Sequence, residues 1–398
     1  MTAIEPVDWD LAAGTAARLA RRHSLPARVD PGLERQFSRL VSTAEALVAE
    51  ATGLVSAAGP ATSQVVDRAT WARRNVVSFR GLLAPFTAQH NEKYADDSGR
   101  FARLSLATGR KVTALELGTM LGWMSSRVIG QYDMLMGDDG DSDKVYIVGP
   151  NLIGLEDRYG FPAEEFRLWI AIHEVTHRAQ FTGIPWLRPF FLEQLAEVFG
   201  GERQSGDVLA AMRSALTDRV GTRRRIKEGG LAAVLATETQ RVALSRVAGM
   251  MSLLEGHGDS VMNQAGGDLI PSASRFERVL GERRRRGNPL QRMMYRLIGF
   301  EAKLNQYSAG TNFIGAIEAV GGSRLIERCW EGPDCLPSIA EIAEPARWLD
   351  RMGIPRAADQ PTADQPTADR PAADRPAAQQ PVVTSSTAMS TTLLNGVG

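Results

Sequence analysis

The pentapeptide His173-Glu174-Val175-Thr176-His177 constrains this chain more than any other feature of its sequence. It lies in a run with helical spacing, in which Phe166, Trp169, Ile170, His173 and His177 share one face. Two imidazoles four residues apart stand one turn above each other on a helix, which suits two ligands of a tetrahedral zinc. The glutamate beside the first histidine can reach a water held at such a metal and take its proton. A catalytic zinc also needs a third protein ligand and an open fourth position, so another part of the chain must fold onto this helix. Histidine is scarce, with five in 398 residues, which makes two in this frame a pointed coincidence.

The candidate metal helix begins near Pro162, with Glu164 and Glu165 complementing its N-terminus, and fails by Gly183-Ile184-Pro185. Ahead of it, Val145-Tyr146-Ile147-Val148 is the clearest strand, stopped by Gly149-Pro150 and preceded by the polar loop 137–144. A free edge on that strand would let an extended substrate pair across the metal, while a strand buried on all sides would have no substrate role. Elsewhere the apolar spacing is helical. Residues 9–85 read as several helices, including an amphipathic stretch from Asp67 through Trp71 to Val77. Residues 111–135 read as a helix crossing the core, and a long helix runs from about Leu231 to Asn263. A basic loop spans 202–230, and the cluster Arg283 to Arg286 precedes a helical span near 289–320; both arginine clusters read as solvated faces. The expected fold is mainly α, with a small β element before the metal-binding helix.

Glu255 is the preferred third ligand. It lies in Leu254-Glu255-Gly256-His257-Gly258-Asp259, at the end of the long helix, with Asp259 one turn further on the same face. A carboxylate there can accept the remaining N–H of a ligand histidine, fixing its tautomer and direction. Gly256 and Gly258 each cost a helix about 1 kcal/mol relative to alanine, which points to close helix approach or to a bend around a ligand. Three alternatives stay open. Glu197 follows His177 by twenty residues, but the position one turn on is Gly201 and not aspartate. His257 would complete a three-histidine site, yet a regular helix turns it away from the Glu255–Asp259 face. Glu193 is the weakest.

Composition narrows the partners. Lys plus Arg and Asp plus Glu balance at 46 each, so no net field draws the chain to nucleic acid or to a membrane surface. The sequence shows no secretory leader pattern and no uninterrupted apolar run of about 18 residues, and the expected location is cytoplasmic. Cys329 and Cys335 flank Trp-Glu-Gly-Pro-Asp and read as free thiols. The hydrophobic fraction of 43% supports a full-sized core over residues 1–353, with a helical N-terminal part of about 1–135. From residue 354 a five-residue repeat of Pro, Ala, Thr and charged residues has no apolar face, so 354–398 reads as a disordered tail.

HEVTHRAQFTGIPWLR, LLEGHGDSVMN and GFEAKLNQYSAGTNFI, in that order, resemble the signature blocks of the actinobacterial zincin-like metallopeptidase family. The likeness extends from VDWDLA near the start to Trp348-Leu349-Asp350-Arg351, about residues 5–352. Members of that family are often labelled as associated with deazaflavin-coenzyme biosynthesis, a label that names no reaction. The resemblance implies a mostly helical zincin-type fold, Zn2+ as cofactor, His173 and His177 as ligands and Glu174 as catalytic base.

The resulting expectation is a glutamate-zincin metallopeptidase acting on a peptide or protein substrate. Glu174 would carry the proton from water to the leaving amine, and His257 and Tyr307 are the polar candidates to stabilise the oxyanion. The alternative is a zinc-binding scaffold or regulatory interaction protein without turnover. An intact Glu174 argues against it, because a structural zinc site closes its fourth position and needs no base. Substrate identity and oligomeric state are not legible in the sequence.

Overall fold

Val145 to Val148 carry apolar side chains on both sides of their pleat, the pattern of a strand covered on both faces. In the computed structural model, which describes residues 5, 7–22, 31–94, 100–134, 143–200, 237–285 and 309–355, they form the middle of a three-stranded sheet. β1 (Thr62–Val66) pairs parallel with β3 (Lys144–Val148), and β2 (Gly130–Tyr132) pairs antiparallel with β3 on the other side. Val65, Val145 and Ile147 face one core, while Val66, Tyr146 and Val148 face another. Of the two readings of this strand, the buried one holds, since both edges of β3 are paired. The edge next to the metal helix belongs to β2.

Helices cover both faces. α1 (Trp9–Arg22), α3 (Arg68–Tyr94) and α4 (Arg100–Met124) pack over Val66, Tyr146 and Val148. α2 (Pro31–Thr52) packs over the opposite face through Phe37, Val41 and Ala44. β1 and β2 correct the helical readings of residues 9–85 and 111–135. Both strands are held by pairing with β3, and β1 meets residues about eighty positions away, a relationship that local periodicity does not carry. α4 stops at Met124, where the hydroxyls of Ser125 and Ser126 donate back to Gly122 and Trp123 carbonyls. The Arg127 guanidinium stacks 3.7 Å over the Trp123 ring.

After β3 the chain turns directly into α5 (Gly149–Tyr159), with Pro150 in the first turn, where its missing N–H costs nothing. Gly160 closes α5 in the left-handed conformation at φ 57°. The metal helix, α6 (Ala163–Gly183), starts after Pro162 and ends where Gly183 was expected to end it. It is buried almost all round, as a helix between a sheet and other helices must be. Phe166 and Trp169 on its first turns pack edge-on against Phe276 of α9 (Ala273–Arg285), with ring centroids 5.2 and 5.9 Å apart. Burying each such ring contributes about 1.5–3 kcal/mol. Further along, Arg178 is fully buried and pairs with Glu45 of α2 and with Asp143 just before β3.

α7 (Leu187–Gly200) follows, and then α8 (Glu238–Gly266), which crosses α6. Thr237 caps α8 in a reciprocal box with Gln240, so the helix begins at Glu238, well after the expected start near Leu231, and runs past Asn263 to Gly266. The Leu254–Asp259 segment consequently lies inside the helix and not at its end. At Gly256 the α8 backbone meets the backbone of Gly310 at the start of α10 (Ala309–Gly321), with no room for a β-carbon. α11 (Ile339–Ala343) and α12 (Pro345–Arg351) close the far side, where Trp348, Phe313 and Leu253 share a core.

All described residues belong to the unit Met1–Arg356; the second unit, Ala357–Gly398, lies outside them, as do the basic loop 202–230 and Tyr307. Among the described residues no helix is long and apolar enough to cross a membrane. Cys329 and Cys335 are both free thiols, and burial followed by the neighbouring Cys335 raises the Cys329 pKa.

Candidate metal centre

The crossing of α6 and α8 brings three side chains to one point. His173 Nε2 and His177 Nε2 are 3.2 Å apart, and the Glu255 carboxylate oxygens lie 3.9 Å from His173 Nε2 and 4.0 Å from His177 Nε2. Donors bound 2.0–2.1 Å from a tetrahedral zinc stand roughly 3.3 Å from one another, so two imidazoles and one carboxylate at these separations fit zinc in both size and chemistry. The histidine side chains keep 12% and 11% of their surface and Glu255 keeps 38%, leaving the cluster accessible from one side. Among the described residues this is the one His/Cys/Asp/Glu group with such spacing. Gly258 makes the approach fit: a β-carbon there would stand 3.3 Å from His173 Nδ1 and 3.5 Å from His177 Cε1.

Glu174 leaves α6 on the side of β2. Its Oε2 accepts the backbone N–H of Tyr132 at 3.0 Å, and its Oε1 lies 2.6 Å from where a β-carbon on Gly130 would sit. Val148 N–H donates to the Ile129 carbonyl and Asp133 N–H donates to the Lys144 carbonyl, so the polar groups of Gly130 and Tyr132 point the other way, towards α6. Burial, then the charge of Asp143, raises the Tyr132 hydroxyl pKa, and the protonated phenol is hydrogen-bonded to Asp143. Asp143 is in turn held by Arg178, one residue after His177.

Behind the cluster, His177 Nδ1 meets Gln180 Oε1 at 3.0 Å, and Gln180 Nε2 lies 2.8 Å from His257 Nδ1. His257 is buried against the edge of Trp330, at 5.4 Å between ring centroids. Burial, followed by the proximity of His177, holds its pKa down to about 4, so the ring is neutral at pH 7.

The structure thus brings His173, His177 and Glu255 together, while Glu174, next to His173 in sequence, directs its carboxylate to β2. Glu193 and Glu197 are exposed on α7 and are not part of the cluster. His257 is on the far side of Gln180, and the outward nitrogen of His177 bonds to that amide. Asp259 follows Gly258 on α8, half-buried. Tyr307 lies outside the described residues. Gln180, Tyr132, Gly130 and Arg178 were missed by the sequence reading. Gln180 was within its reach, since residues three apart face each other on a helix. The pairing of Tyr132 with Glu174 depends on β2, which periodicity had hidden.

Residues 7–349 match the family described as "Zincin-like metallopeptidase". No curated protein matches the chain. A crystal structure from Chloroflexus aurantiacus, described as that of a "putative hydrolase with a novel fold", is similar to it at a TM-score of 0.64 and 31% identity. The alignment covers 87% of this chain and 99% of that one. With the match spanning nearly all of the described fold and including the His173–His177–Glu255 cluster, the chain belongs to the zincin-like metallopeptidase family.

Proposed function

We propose that this protein is a zinc-dependent peptidase of the glutamate-zincin type, with His173, His177 and Glu255 as the ligands. The observation that carries the proposal is the convergence of these three donors next to a glutamate that belongs to none of the ligand positions. Zinc bound there supplies Lewis acidity, lowering the pKa of water and polarising a carbonyl.

The chain's own residues do the rest. Glu174, with Oε2 engaged by Tyr132 N–H, takes a proton at Oε1 and delivers it to the leaving amine. The substrate is an extended peptide or protein, and the part of the outward β2 edge that can pair with its main chain excludes the Tyr132 N–H, which Glu174 holds. Asp259 supports His173, and Tyr307 supplies a donor to the developing oxyanion. His257, placed behind Gln180, supports the ligands and does not contact substrate.

Elemental analysis of the purified protein beside Glu255→Ala and Glu197→Ala tests the ligand set. One zinc per chain in the wild type and in Glu197→Ala, lost in Glu255→Ala, is expected. Zinc retained by Glu255→Ala would reassign the third ligand, and a zinc-loaded wild type cleaving no member of a peptide library would favour the scaffold reading. Glu174→Gln, expected to keep zinc and lose hydrolysis, separates base from ligand.

A further inference from the structure

Gln180 is fully buried on α6, three residues after His177. Its amide oxygen faces His177 Nδ1 at 3.0 Å, and its amide nitrogen faces His257 Nδ1 at 2.8 Å and the Leu254 carbonyl at 3.3 Å. A primary amide has two donors at one end and only an acceptor at the other. The Leu254 carbonyl can only accept, so the nitrogen must face it. The reverse orientation would set two acceptors against each other in a buried site, at the cost of an unsatisfied polar group. With the amide fixed, the protons on both rings follow. Oε1 accepts from His177, so that ring is protonated on Nδ1 and has its lone pair on Nε2, the atom facing His173 and Glu255. Nε2 of Gln180 donates to His257 Nδ1, which places the His257 proton on its own Nε2.

We propose that Gln180 is a positioning residue of the metal centre: one side-chain amide sets the tautomer and direction of His177 and ties that ring to the peptide linking Leu254 to Glu255. The second and third ligands, on two different helices, are thereby held in register by a single group. The purpose of this arrangement rests on the zinc reading above; its geometry does not. The chemistry also limits the substitutes. Asparagine is one methylene too short to reach across, glutamate has no donor for Leu254 or His257, and methionine fills the volume without making any of the bonds.

Five histidines make the tautomers directly observable. In long-range 1H–15N spectra of the metal-free, 15N-histidine-labelled full chain at neutral pH, with His177→Gln and His257→Gln for assignment, His177 is expected as the Nδ1–H form and His257 as the Nε2–H form. In Gln180→Met, His177 should move towards the Nε2–H form that free imidazole side chains favour. A wild-type His177 protonated on Nε2 would overturn the proposal, and that outcome does not depend on the folding of any Gln180 variant. In the second arm, competition with a chromophoric chelator should give Gln180→Met a 10- to 100-fold weaker zinc affinity while circular dichroism reports a folded chain. A shifted visible spectrum of the cobalt-substituted variant should accompany it. A folded Gln180→Met with wild-type affinity and cobalt spectrum would refute the positioning role. A wild type that takes up no zinc would defeat the zinc reading alone, and the tautomers would then decide the role of the amide by themselves.

Discussion

Tyr132 donates its backbone N–H to Glu174 Oε2 at 3.0 Å, so the edge strand of the sheet holds the carboxylate that flanks the first histidine. The carboxylate also presses against Gly130, where a β-carbon would stand 2.6 Å from Oε1 and 2.7 Å from Cγ. Gly130→Ala should therefore swing Glu174 off the strand while leaving the ligand histidines in place. On any peptide that the wild type cleaves, turnover should fall about 100-fold, the scale at which a misplacement near 1 Å is felt. Zinc content should stay at the wild-type level. Full turnover in Gly130→Ala would mean that Glu174 does not act from the position described.

Two glycines in helices should respond to alanine with opposite signs. Gly256 abuts the Gly310 backbone, which cannot rotate away as a side chain could. Overpacking of about 1–3 kcal/mol should outweigh the roughly 1 kcal/mol that alanine gains in helix propensity, so Gly256→Ala is expected to lose stability. Gly154 on α5 has nothing within 4 Å of the added carbon, and Gly154→Ala should gain up to about 1 kcal/mol. Urea unfolding of the two variants beside the wild type checks both signs. A neutral or stabilised Gly256→Ala would show that α8 and α10 can separate at little cost, and the register of Glu255 would need another explanation.

The parts of this fold that could be read from sequence are those that local spacing encodes. The metal helix was bounded correctly at Pro162 and Gly183 because proline, the acidic first turn and glycine mark both ends within a few residues. Val145–Val148 was legible as a strand because four apolar residues in a row leave no polar face for a surface helix. Its central place in the sheet is the buried alternative that the same run allowed beside a free edge, and the pairing with both β1 and β2 decides between them. β1 and β2 were hidden because Thr62–Val66 and Gly130–Tyr132 are short and are stabilised by pairing with β3, which for β1 lies about eighty positions away. Thr237 and Gln240 carried the capping-box spacing that marks the true start of α8, three residues apart, and an apolar run upstream drew the boundary away from them. Within the site, the ligand spacing His173/His177 is a helical repeat and so visible in one dimension. The Glu255 contact and the Gln180 bridge are consequences of two helices crossing, which no periodicity records.

Arg178 should be the most costly charge to remove. Its side chain is 1% exposed and is held by Asp143, Glu45 and the Gly59 carbonyl, joining α6 to α2 and to the start of β3. Breaking a buried pair costs about 3–5 kcal/mol, and the lower end applies because both carboxylates retain about a quarter of their surface. Arg178→Met should thus lose about 3 kcal/mol in urea unfolding. Arg178→Lys should also be destabilised, since an ammonium lacks the planar fork that meets three acceptors at once. If the loss disappears in 1 M salt, the pair behaves as a surface bridge and the burial argument is wrong.

Acid should loosen the helix pair that backs the site. Glu341 is buried on α11 and accepts from the Ser338 N–H at 2.7 Å and from Arg351 Nε at 2.6 Å. Burial by itself raises its pKa, but the hydrogen bonds from Arg351 and Ser338 outweigh it and the net shift is downward. Between the folded and unfolded values the unfolded chain binds more protons, so stability rises with pH through that window. The contribution is complete above the ordinary glutamate value of about 4.3 and is lost as pH falls through the lower, folded one. The consequence reaches the metal centre, because α11 and α12 hold Trp348 in the core that includes Leu253, two residues before Glu255. Thermal midpoints of the metal-free protein and of Glu341→Gln should differ most near pH 7 and converge as pH drops below about 4. A gap that stays constant down to the lowest pH would show that the Glu341 charge contributes nothing to holding α11 and α12 in place.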